Sequence, residues 1–155
     1  MIQSAWIVVR RGKSYIPTQG QIEAGPYMGI EPVHTVNLDV EGIVWAFEQV
    51  IAAGHPQLPT PTAEEMKGRQ DPVLKAAGVR SWTELAKGGA SYTIYWGKDD
   101  ITLYISRLDR KGRFEVDPTK TRTFPKDTAL RTLVDVILQD VHSRPELLGA
   151  KTGSG

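Results

Sequence analysis

Two periods of apolar residues alternate along this chain, and a fold that serves only one of them leaves the other in water. In the runs "ASYTIYWG" and "ITLYISRLD" the apolar positions fall two apart: Tyr92, Ile94 and Trp96 share one face of an extended segment, and Ile101, Leu103 and Ile105 share one face of the next. From Asp39, and again from Asp127, the step becomes three and four. Val40, Ile43, Val44, Phe47, Val50 and Ile51 form the first stripe, and Leu130, Leu133, Val134, Ile137, Leu138 and Val141 the second. One-faced strands and one-striped helices satisfy each other by packing helix on sheet. The reading is an α+β domain: a mostly antiparallel sheet with two main helices packed on one face and two short helices in the middle.

The chain has 155 residues, 40% hydrophobic and 24% charged, which suits one domain over residues 1–148, with residues 149–155 expected to be a disordered tail. A chain of this length buries roughly 70% of the surface its unfolded form exposes, so its core needs no metal or disulfide. Cysteine is absent, which excludes disulfides, thiolate zinc sites and a cysteine nucleophile, and is compatible with a reducing compartment. The expected location is the cytoplasm, with no membrane involvement: the apolar run at residues 5–9 is too short to span a bilayer and its arginines follow it. With a net charge of +1 and a pI near 8.0, no global field points to nucleic acid or an anionic surface.

The local signals fill in the order of elements. Residues 6–9 are β-formers, Gly12 and Lys13 suggest a turn, and Ser14, Tyr15 and Ile16 pair back until Pro17 ends the ladder. "YIPTQGQIEAGPYMGIEPV" then reads as a long folded connection, with Gly25, Gly29 and Pro32 shaping turns and Tyr15 and Tyr27 pinning it to the sheet. A strand with Val36 and Leu38 inward leads to the first helix, capped by Asp39 and stopped at Gly54. Four prolines between Pro56 and Pro72 predict a long loop with one helical turn at residues 63–67. Two short helices follow, one capped by Asp71 with Pro72 in its first turn, the other opened by a Ser81–Glu84 capping box; Gly78 and Gly88 stop them. Three antiparallel strands and the helix from Asp127, ended by Pro145, complete the chain.

No catalytic constellation emerges. His34, His55 and His142 lie in different elements without paired metal-ligand spacing, so no metal and no cofactor is expected. The nucleophile elbow, the phosphate-binding loop and the dinucleotide fingerprint are all missing. The adjacent carboxylates Glu64–Glu65 and Asp99–Asp100 read as solvated loop charges. Between residues 107 and 126 the cations Arg107, Arg110, Lys111, Arg113, Lys120, Arg122 and Lys126 outnumber the acids, which is the best nucleic-acid signal in the chain. Basic residues on an exposed hairpin also block edge-to-edge aggregation, and that reading is preferred. Of the four tryptophans, Trp82 is expected to be the partly exposed one.

Taken together, the opening stretch, the later "LPTPT" (residues 58–62) and "LKAAGVRSW" (residues 74–82) resemble an immunity-protein family of bacterial contact-dependent growth inhibition systems over residues 5 to about 140. The resemblance implies a cytoplasmic antitoxin that binds, one to one, the toxic C-terminal domain of a large secreted protein, often a nuclease, and performs no chemistry itself. Since a nuclease cleft is basic, the expected toxin-binding residues are Glu23, Glu31, Glu64, Glu65, Asp99 and Asp100, with Trp82 as an aromatic anchor. A nucleic-acid-binding module using residues 107–126 and a small enzyme with an unrecognised site stay open as alternatives. An exposed strand edge or the basic hairpin offers a surface for self-association.

Overall fold

The computed structural model describes residues 3–23 and 25–149. The expected tail lies, apart from Gly149, outside them. Among the described residues the strands run β1 (Ser4–Arg10), β2 (Lys13–Ile22), β3 (Tyr27–Asn37), β4 (Gln57–Leu58), β5 (Gly89–Trp96), β6 (Asp100–Leu108), β7 (Phe114–Val116) and β8 (Arg122–Pro125). The helices are α1 (Val40–Ala53), α2 (Ala63–Gly68), α3 (Pro72–Ala77), α4 (Trp82–Ala86) and α5 (Leu130–His142), followed by a 3-10 turn at Pro145–Leu148. The sheet order is β3-β2-β1-β5-β6-β7, with β4 on β2 and β8 on β6. All pairings are antiparallel except β2 with β4.

The two expected stripes meet on one face. Ile7, Ile16, Tyr92, Ile94, Ile101 and Leu103 from the sheet pack against Ile43, Phe47 and Val50 of α1 and Leu133, Ile137 and Val141 of α5. Each such side chain contributes about 1.5–3 kcal/mol on burial. A second, smaller cluster covers the opposite face of β1 and β2: Val8 and Tyr15 pack with Val73, Val79 and Leu85, and Trp6 stacks on Trp82 at 5.6 Å. The short helices therefore close the back of the sheet.

The long connection expected after Tyr15 is instead the β2–β3 hairpin. Pro17 does not end the ladder, because it sits where the register shifts: Pro17 faces Val33 while Thr18 faces Ile30, so Glu31 and Pro32 bulge from β3, and the Thr18 hydroxyl donates to the Pro32 carbonyl at 2.9 Å. Of the three glycines, only Gly25, with φ 107°, lies in the turn. Gly20 is inside β2, where a Cβ would stand 2.3 Å from Leu58 Cδ1. Leu58 belongs to β4, which takes up pairing with β2 at Gln21 and Ile22, beyond the Val8–Tyr15 end of the β1 register.

The caps follow composition closely. Asp39 accepts from the Gly42 amide at 2.7 Å, Asp71 from Val73 at 2.8 Å, and Ser81 from Glu84 at 3.1 Å. The expected Ser81–Glu84 box is only half formed, because the Glu84 carboxylate accepts from Arg80 instead. The reciprocal box forms at Thr62 and Glu65 and opens α2. The last helix begins at Leu130 rather than Asp127, with Ala129 at its N-cap and no side-chain cap; Pro125, Lys126 and residues that follow finish β8 and its turn first.

Candidate partner-binding surfaces

The strand directions gather several of the expected site residues at one end of the sheet. Glu23, at the β2–β3 turn, accepts from the Thr60 amide at 3.1 Å, tying the turn to the segment that leads into Glu64 and Glu65 on α2. Gln3 joins that hairpin to the β5–β6 turn: its side-chain carbonyl accepts from the Tyr27 hydroxyl at 2.9 Å and its backbone carbonyl from the Trp96 amide at 2.8 Å. Asp99 and Asp100 are exposed at that turn. His55 holds the same corner. Its Nε2 accepts from the Gln3 amide at 3.1 Å, so Nδ1 carries the proton and donates to the Gln19 carbonyl at 2.8 Å.

These residues differ in what they have left to offer. The Glu65 carboxylate accepts from the Thr62 amide at 2.9 Å, and that backbone bond, with the Thr62 side chain, holds it below the usual carboxylate range. Glu64 and Glu31 are exposed, with no ion pair among the described residues; Glu31 sits on the β3 bulge. Trp82 is half-buried against Trp6, inside the second cluster. Trp45 is the tryptophan that stands out, 50% exposed on α1, with His34 edge-on at 5.4 Å. Its signal was present in the periodicity: Trp45 lies off the stripe of Ile43, Phe47 and Val50.

The basic strip is largely spoken for within the chain. Arg107 pairs with Glu115 at 2.7 Å and Asp117 at 3.7 Å, Arg113 with Asp109 at 3.2 Å, and Lys120 with Asp140 at 2.9 Å. Arg122 lies over the Phe124 ring at 5.1 Å, and the Lys126 ammonium donates to the Gly97 carbonyl. Arg110 and Lys111 remain as the strip's side chains without such a partner among the described residues.

One charged cluster escaped the sequence reading. On α5, Asp140 accepts from the Tyr92 hydroxyl at 2.7 Å, from Lys120 at 2.9 Å and from Arg144 at 2.7 Å, and Arg144 also donates to the Ser106 carbonyl at 2.9 Å. Burial pushes the Asp140 carboxyl up, but the bonds from Lys120 and Tyr92 and the Arg144 charge outweigh it and hold it below the usual range. Burial first, then the bond to Asp140, raises the Tyr92 hydroxyl well above the ordinary phenol. Both carboxylate oxygens are engaged, so the cluster works as a clamp between β5, α5 and the turn after β7. A cleft of about 320 Å³ beside it is lined by Lys120, Arg122, Gln139 and Asp140. Among the described residues no group of three His, Cys, Asp or Glu is placed to hold a metal, and no helix is long and apolar enough to cross a membrane.

The fold and these surfaces define a single-sheet α+β protein whose bonded side chains brace the scaffold and whose β2–β3 and β5–β6 turns bring Glu23, Asp99 and Asp100 to one end of the sheet. No protein-family model and no curated protein sequence matches the chain. Its fold is similar to that of two solved structures. One is a protein of unknown function, NMB0488 from Neisseria meningitidis, with a TM-score of 0.60 and 14% identity over 88% of this chain and 92% of that one. The other is a chain from a CdiA-CT/CdiI toxin and immunity complex from Yersinia pseudotuberculosis, with a TM-score of 0.57 and 14% identity over 92% of this chain and 98% of that one. At this identity the likeness is one of fold.

Proposed function

We propose that this chain is a cytoplasmic immunity protein that binds the toxic C-terminal domain of a cognate contact-dependent growth inhibition effector and neutralises it by occupying its surface. The observation that carries the reading is the fold match along nearly the full length of a chain from a toxin and immunity complex. The exposed carboxylates Glu23, Glu31, Glu64, Asp99 and Asp100 suit a basic partner such as a nuclease, with Glu65 held in its cap and Trp82 in the scaffold. A standard one-to-one complex buries about 1,600 Å² in total.

Co-expression tests this directly. The toxin domain encoded beside this chain arrests growth when expressed alone; together with this chain growth is restored and the two purify as an equimolar complex. Unrelieved toxicity with no complex overturns the reading. Binding of single-stranded nucleic acid with affinity falling steeply in salt would instead favour the module using residues 107–126.

A further inference from the structure

Residues 14–66 contain seven carboxylates, Glu23, Glu31, Asp39, Glu41, Glu48, Glu64 and Glu65, and no lysine or arginine. All 19 basic residues and the other eleven acids lie elsewhere, so the net charge of +1 conceals a strongly polarised chain. The fold keeps this separation in space. Residues 14–66 build β2, β3, α1 and β4 and enter α2, and β3 and β2 stand at one side of the sheet. Cations reach this acidic lobe at its margins: Lys13 on the Asn37 side chain at 2.9 Å, Arg69 on the Gly29 carbonyl, and Arg131 on Glu41 at 2.5 Å.

On the exposed side of α1, within this lobe, stands Trp45. On α1, Glu41 lies four residues before it and Glu48 three after it, so both flank the indole on the solvent side. His34 of β3 meets the ring edge-on, and Glu31 is exposed three residues before His34. Glu31 and Glu48 form no ion pair or hydrogen bond among the described residues. Half an indole left in water forfeits burial free energy that its neighbours Ala46 and Phe47 realise in full. An exposed aromatic flanked by carboxylates, of which Glu41 is paired with Arg131 and Glu48 is not paired among the described residues, is the arrangement of an interface centre, and an indole face accepts a guanidinium or ammonium.

Resting on the immunity reading, we infer that the α1–β3 face centred on Trp45, with Glu41 and Glu48 beside it on α1, is the docking surface for the basic substrate cleft of the toxin domain, an arginine or lysine of which packs on the indole. Charge complementarity selects this occupant: a nuclease cleft is cationic, and residues 14–66, which supply this face, include no lysine or arginine, the cations Lys13, Arg69 and Arg131 reaching it from outside that stretch. The competing occupant is the basic half of a second copy.

The test uses the full chain with two probes, a decalysine peptide at low ionic strength and the toxin domain. Decalysine binding changes the tryptophan fluorescence, and Trp45→Ala abolishes the change. Glu48→Lys weakens binding of either probe by about tenfold or more, whereas Asp135→Lys, the same charge change on the exposed side of α5, alters it less than about twofold. Equal losses from Glu48→Lys and Asp135→Lys overturn the proposal, since net charge alone then explains them. Toxin binding undiminished in Trp45→Ala and Glu48→Lys overturns this face while the immunity reading stands. Decalysine bound at Trp45 with no affinity for the toxin domain upholds a cation-docking face and removes the immunity reading. Self-association seen by light scattering and lost in Glu48→Lys makes a second copy the occupant and overturns the assignment to toxin.

Discussion

The Tyr92 hydroxyl donates to Asp140 Oδ2 at 2.7 Å, joining the central strand β5 to the C-terminal half of α5. Lys120 and Arg144 complete the carboxylate's shell from the turn after β7 and from one helical turn further along. A carboxylate this well bonded stabilises by being surrounded, so taking it away leaves Arg144 poorly compensated. Asp140→Ala should lower the unfolding free energy by about 3 kcal/mol, and Tyr92→Phe by about 1.5 kcal/mol, in urea titrations.

The same group sets an acid limit. Asp140 binds a proton less readily folded than unfolded, because its folded-state carboxyl is held below the usual range. Its contribution is therefore complete above the unfolded value of about 4 and is lost as pH falls through the lower folded value. Thermal melts of the wild type should drop in midpoint below about pH 4, and Asp140→Asn should show a shallower drop over the same window.

Trp82 and Trp45 should separate scaffold from surface. Trp82→Ala opens the stack with Trp6 and should cost about 3 kcal/mol of stability. Trp45→Ala removes a half-exposed ring and should change stability by less than about 0.5 kcal/mol. Chemical denaturation of the two variants measures both, and a large loss in Trp45→Ala would show that the indole braces the fold.

Gly89 is confined by backbone on two sides: a Cβ there would lie 2.5 Å from the Leu85 carbonyl oxygen and 3.2 Å from that of Val9. Neither oxygen can swing away as a side chain can. Gly89→Ala should destabilise by about 2 kcal/mol, against a near-neutral Gly68→Ala, where nothing stands within 4 Å.

In α2 no residue is buried, so the helix rests on its caps. Thr62→Ala removes the acceptor for the Glu65 amide at 3.1 Å and should speed amide exchange at Glu65 and Met66 severalfold, leaving the melting midpoint unchanged. A fall in the midpoint would mean that α2 contributes to the global core.

Much of the fold was legible because its signals are local. The stripes of α1 and α5, the alternation of β5 and β6 and the caps at Asp39, Asp71 and Ser81 each arise within a few residues of one another. The opening stretch misled for an equally physical reason. Pro17, Gly20, Gly29 and Pro32 lower strand propensity in isolation, yet Pro17 and Pro32 sit at a bulge and Gly20 yields its space to Leu58. The candidate surface was half visible. The run of acids without a cation was there to be read, while Trp45's role depended on which side of α1 the sheet took.

The chain order alone determined the α+β class, the two helix stripes, the meander and the segregation of charge, since periodicity and charge are properties of neighbouring residues. Tertiary structure decided that the first connection is a hairpin, that α3 and α4 close the reverse face, that β4 continues the ladder beyond β1, and that Tyr92, Lys120, Asp140 and Arg144 meet. Those outcomes depend on pairs of residues far apart in sequence, and only the competition for burial and for hydrogen-bond partners in the folded chain selects among them.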